Sequence, residues 1–182
     1  MNCYLIDSEE NFNELRFPNV SDWQNWIGHR TSISDIWKPV ELEYIYGVKS
    51  KKNKKFDISQ YCKPLFTISE KALNISGEML RRNGDILDIL SPKGFYFFHC
   101  TNIVDALKEN ESNVIWLDKE QGWIASIDKF VLNKEKIKEQ EIFRLPNANF
   151  RYTFFGEDFK NLVISNNLKG VCFDRYETII ID

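Results

Sequence analysis

Histidine is almost missing from this chain: His29 and His99 are the only two in 182 residues. A zinc site needs three or four ligands, His29 has no second ligand at i+3 or i+4, and nothing else offers the spacing. The four cysteines, Cys3, Cys62, Cys100 and Cys172, are widely spaced and form no CxxC. Three of them sit in apolar runs, where a free thiol behaves as a small buried hydrophobe. There is no GxGxxG, GxxxxGK[ST], GxSxG or HExxH, and the acids form no DxD or EF-hand arrangement. These absences speak against nucleotide-binding and metal-dependent classes, and neither a cofactor nor a metal is expected. No apolar run approaches the ~18 residues of a membrane span. The amino-terminal MNCYLIDSEE has neither the basic nor the apolar region of a signal peptide. The expectation is a soluble, reduced, cytoplasmic protein.

Aromatic residues, in contrast, are abundant: fourteen Phe, seven Tyr and five Trp make 14% of the chain. So many rings exclude a disordered chain and provide anchors for a core. A chain of this length buries roughly 70% of its unfolded surface and needs no metal or disulfide as a staple. The net charge is −3, although Lys49, Lys51, Lys52, Lys54 and Lys55 cluster in one stretch; with those five positive charges set aside, the rest carries −8. An acidic body repels nucleic acid and steers basic partners toward it.

Hydrophobic periodicity predicts an α+β protein: one mixed or mostly antiparallel sheet packed by two or three amphipathic helices. A single domain is expected over 1–182, with an irregular, Trp-rich part at 1–62 and a regular core at 63–176. The first part opens with a strand at 2–7. An irregular stretch with Phe12, Phe17, Trp23, Trp26, Ile27 and Trp37 follows. Trp23, Trp26 and Ile27 have helical spacing with Ser21 available as cap, and the three tryptophans are expected as core or lid residues, a partner-binding surface being the alternative. A strand at 41–48 would place Leu42, Tyr44 and Tyr46 on one face. The lysine cluster after it has no aromatics between its charges, unlike loops that stack nucleic-acid bases.

The helix at 70–82 is marked at both ends. Ser69 is its N-cap, Ile68 and Leu73 form a staple, and Ala72, Leu73, Ser76, Met79 and Leu80 face inward. Gly84 is expected to end it in the left-handed region. Strands at 86–90 and 95–100 form an apolar hairpin that belongs in the centre of a sheet. Ile103, Val104 and Leu107 have helical spacing, with Thr101 or Asn102 as cap. Strands are predicted at 114–117, 124–132, 142–145, 151–155, 170–174 and 178–181, with a polar link at 133–140 and a second amphipathic helix at 157–165.

His99 and Cys100 are neighbours, but adjacent side chains of a strand point to opposite faces and cannot act as a nucleophile–base pair. An enzyme would need a non-local site, with His99 working with Asp105 or Cys100. A regulatory nucleic-acid-binding domain would need the lysine cluster. A third possibility is a docking face. Residues 103–128 hold Asp105, Glu109, Glu111, Asp118, Glu120 and Asp128 against Lys108 and Lys119, a local charge of −4, with Trp116 and Trp123 among them. Solvated loops around core tryptophans are the plainer explanation of the same pattern.

The succession PLFTISEKAL, ILDIL, FYFFHCTNIVDALKENES, IDKFVL, EIFRL and FGEDFKNLVISNNLKGVCFD resembles the bacterial immunity proteins of the immunity-eleven family, from about Lys63 to Tyr176. Its most specific pieces are Ile68-Ser69-Glu70, the run Asn102 to Leu107 followed by Ser112, and Ile142-Phe143-Arg144-Leu145. The resemblance implies a non-enzymatic antidote of a polymorphic toxin system, which binds its cognate toxin domain in the cytoplasm. It supplies no catalytic residues. The face expected to bind, by steric and electrostatic occlusion, comprises Trp116, Asp118, Glu120, Trp123, Asp105, Glu109 and Glu111.

Overall fold

The structure, a computed structural model, describes residues 2–10, 12–19, 21–22, 25–26, 29–45, 54–60, 62–146, 152–173 and 179–182. In chain order the elements are β1 (Cys3–Leu5), β2 (Asp7–Ser8), β3 (Glu14–Arg16), β4 (Val40–Glu41), β5 (Glu43–Ile45), β6 (Ile58–Ser59) and β7 (Leu65–Ser69). Helix α1 (Glu70–Asn83), β8 (Gly84–Ser91), β9 (Phe95–Cys100), β10 (Asn113–Asp118) and β11 (Trp123–Leu132) follow. The chain ends with α2 (Lys134–Ile137), β12 (Ile142–Arg144), β13 (Thr153–Gly156), α3 (Glu157–Ser165), β14 (Val171–Cys172) and β15 (Ile179–Ile181). The fold is α+β and mostly antiparallel, as predicted; β4–β8 and β11–β15 pair in parallel.

The largest sheet has the order β4-β8-β9-β7-β6, which puts the apolar 95–100 strand in the middle. Alternation along β9 explains its composition. Phe98 and Cys100 face a core made with α1 and α3, containing Met79, Leu80, Phe155 and Phe159. Phe97 faces the other way, into a core formed with Leu15, Phe17 and Ile33 of the amino-terminal part. With both faces covered, a strand needs no polar side. Trp26 and Trp37 pack half-buried against this second core, Trp37 edge-on to Phe97 at 5.8 Å. Trp23, Ile27 and the continuation of the predicted 41–48 strand, including Tyr46, lie outside the described residues.

Helix α1 follows its caps. Ser69 Oγ accepts from the Ala72 amide at 3.1 Å, and Ala72, Ser76, Met79 and Leu80 are buried. Three expectations are corrected. Gly84 does not take the left-handed conformation; its φ of 172° is extended, and it opens β8. Glycine is needed there for room, because a Cβ would lie 2.1 Å from the backbone oxygen of His99. The helical turn at 103–107 does not form. Ile103 bridges to Arg144 and Leu107 to Leu132, so this stretch laces two sheets together instead of closing on itself. The segment after Pro39 is not one strand but two short ones, with Leu42 buried at the break between them and Tyr44 exposed.

A third core, holding Cys3, Ile124, Ile127, Phe130, Phe143 and Phe154, lies beneath the sheet β10-β11-β15. Among the described residues no helix is long and apolar enough to cross a membrane.

Candidate functional site

The acidic, Trp-bearing segment of the sequence becomes a hairpin, β10 to β11. Its turn is built locally: Asp118 Oδ1 accepts from the Gln121 amide at 3.0 Å, and Gly122 takes a φ of +70°, where glycine is at ease. The ladder slips at three places, pairing Trp116 with Ile124 and then Asp118 with Trp123. Leu117 is therefore a bulged residue with no partner in the register, and it is 72% exposed. Ile115 is 46% exposed and Trp123 50%. Val114 and Trp116 turn the other way and pack half-buried on the third core.

The seven residues expected to bind thus divide. Trp123, Asp118 and Glu120 gather at the hairpin tip; Trp116 belongs mainly to the core beneath it. Asp105, Glu109 and Glu111 sit in the loop leading into β10, separated from the tip by the length of that strand, about 17 Å at the usual rise per residue. Two of these acids are already engaged: Asp105 faces Lys136 at 3.7 Å and Glu111 faces Lys108 at 3.6 Å. Sequence reading missed Ile115 and Leu117 as surface residues. The signal was present, since a strand with only one covered face must expose alternate residues, but VIWL reads as a uniformly buried run.

The other chemical candidates lie in the interior. His99 is fully buried, with Nδ1 3.4 Å from Asp85 Oδ2. Burial first, and the nearby Arg144 guanidinium second, push its imidazole down to about 4, so it is neutral at physiological pH. Arg144 is also fully buried; it donates to the His29 carbonyl at 2.7 Å, and burial lowers it to about 10. Burial pushes the Cys100 thiol up to about 12, well outside the range of a nucleophile. Asp85 also accepts from the Ile33 amide at 2.8 Å and from Ser32 Oγ at 2.8 Å. This polar centre fastens residues 29–33 to the sheet. The carboxylate it uses is Asp85, whereas Asp105 stands at the surface beside Lys136.

Of the lysine cluster, only Lys54 and Lys55 fall among the described residues; both are exposed, and Lys54 sits 5.4 Å from the Phe12 ring centre. An open cleft of about 580 Å³ at the start of α1 is lined by Tyr44, Phe95, Lys55, Lys93, Asp57 and Glu70 among others. Charges of both signs alternate around it, and Lys71 and Asp57 neutralise each other at 3.2 Å. Among the described residues no group of three or more His, Cys, Asp or Glu could hold a metal ion.

No curated protein matches the chain. A family comparison does match, over a shorter span than the resemblance suggested: it begins at residue 89, leaving PLFTISEKAL outside and keeping FYFFHC, the hairpin and EIFRL inside. Residues 89–178, just under half the chain, match the Immunity protein family (Imm11), the family that the resemblance named.

Proposed function

We propose that the protein neutralises a cognate secreted toxin domain by covering it, with the β10–β11 hairpin as the face that docks. It would act in the cytoplasm of the producing cell, by binding and not by catalysis. One observation carries the choice of face. Of the eight large apolar side chains exposed among the described residues, Ile115, Leu117 and Trp123 lie on this single hairpin. The hairpin belongs to the segment matched to the immunity family. Exposed apolar residues grouped with an acidic margin fit the anatomy of a protein interface, in which a few desolvated anchors supply affinity and charge supplies steering.

The interior supports the same reading. His99 and Cys100 are sealed and neutral, and Asp105 is apart from them, so the residues an enzyme would draw on are not presented to a substrate. The test is charge reversal at the tip, Asp118→Lys with Glu120→Lys, assayed against the toxin domain encoded beside this gene. Circular dichroism should report an intact fold, while toxin binding weakens at least tenfold and protection of cells is lost. Unchanged toxin affinity would remove this face from the proposal.

A further inference from the structure

We propose that β10 receives the toxin by strand addition, and that the added strand has an apolar centre with basic residues at both ends. This rests on the toxin-binding reading above and specifies its geometry. β10 is the outer strand in the order β10-β11-β15, and among the described residues nothing pairs with its free side. Such an edge presents a row of unpaired amides and carbonyls and is a ready template for another chain. Proteins blunt edges of this kind with lysine, proline or inward-pointing charge. The six residues of β10, NVIWLD, contain no lysine or proline, and their one charge, Asp118, comes at the end. The ladder slips at three places, an irregularity of the kind that can blunt an edge, yet Ile115 and Leu117 stay exposed along it.

The chemistry of the added strand follows from the order of residues along this edge. Glu109 and Glu111 precede β10, Ile115 and Leu117 stand exposed along it, and Asp118 and Glu120 follow. A complementary segment therefore places apolar side chains against Ile115 and Leu117 and a lysine or arginine near each end. Six residues of extended chain reach about 17–20 Å, enough to meet both acidic ends at once.

Hydrogen exchange of the full chain, alone and with the toxin domain encoded beside it, tests the inference. In the free protein the outward amides of Asn113–Asp118 should exchange readily; in the complex they should slow at least tenfold. The variant Ile115→Lys with Leu117→Lys should weaken toxin binding at least a hundredfold while the free protein stays folded. A tight complex in which these amides exchange as in the free protein would overturn strand addition and leave the immunity reading standing. Absence of any complex would overturn both. A dimer of the free chain with the same amides already protected would give the edge to a second copy and overturn the inference as well.

Discussion

His99 and Gly84 occupy neighbouring positions across one pair of strands, and each is constrained by what surrounds it more than by its own backbone. His99 is held at about 4, below the ordinary 6.5, so the unfolded chain binds the proton first as pH falls. Between about 6.5 and 4 the unfolded state therefore carries more protons, and stability is lost on acidification through that window. The contribution of this one group is of order 3 kcal/mol, and it is fully present above pH 7. Urea midpoints measured from pH 7 to pH 4 should fall, and the fall should be shallower in His99→Asn. Gly84 faces a different limit. Its extended backbone suits any residue, but a Cβ would collide with the His99 backbone oxygen, which cannot swing aside. Gly84→Ala should cost about 3 kcal/mol by the overpacking route. Gly122→Ala, where open space surrounds the site and only the positive φ objects, should cost about 1 kcal/mol. Thermal denaturation of the two variants distinguishes lack of room from backbone strain.

Elements show where local rules hold and where they are overridden. Helix α1 starts at Ser69 and carries Arg81 and Arg82 in its last turn because capping and dipole effects act within one turn of chain. Ser69→Ala should destabilise the protein by about 1 kcal/mol, read as a shift in the urea midpoint without a change in slope. The stretch 103–107 also had helical spacing and formed no helix. Its amides have other partners: Val104 donates to the Arg144 carbonyl at 2.9 Å and Lys108 to the Val131 carbonyl at 2.8 Å. Asn102, expected as a cap, instead donates from Nδ2 to Gln140 Oε1 at 2.9 Å, to the Ile142 carbonyl at 2.8 Å and to Asn83 Oδ1 at 3.2 Å. It joins the end of α1 to β12. Asn102→Ala leaves those acceptors half-buried without their donor, and should cost about 2 kcal/mol. A loss of only a few tenths would deny Asn102 this role.

For the molecule as a whole, the consequence is a division between a well-covered five-stranded sheet and a hairpin whose outer strand, β10, has no partner on its free side among the described residues. The five-stranded sheet has helices on one face and the amino-terminal segment on the other, fastened through Asp85 and Arg144. The β10–β11 hairpin has a single core beneath it and solvent above. Removing charge without disturbing the turn, by Asp118→Asn with Glu120→Gln, should leave the thermal midpoint within about 0.5 kcal/mol of unchanged stability. The same variant should associate more slowly with the toxin domain and with weaker dependence on salt, since charge at a rim acts mainly on encounter. Stopped-flow association at two ionic strengths reads both effects.

The amino-acid order alone was enough for the class of fold, for the capped start of α1, for the apolar strands at 86–90 and 95–100 and for their central place in a sheet. Caps, turns and alternation act between residues a few positions apart, so a single chain spells them out. It also brought Asp118, Glu120 and Trp123 to notice, but only within a group of seven that included Trp116, Asp105, Glu109 and Glu111. What covers each face could come only from the folded chain. That Trp116 lies on the covered face of β10 and Leu117 on the open one depends on which side of the hairpin the third core occupies. That His99 meets Asp85 depends on the pairing of β8 with β9, which sets Asp85 opposite His99. That 103–107 stays extended depends on Arg144 and Leu132, more than twenty residues away, presenting partners to it. Contacts of that range are settled when surfaces are buried together, and a local pattern contains no record of which distant segment will be there.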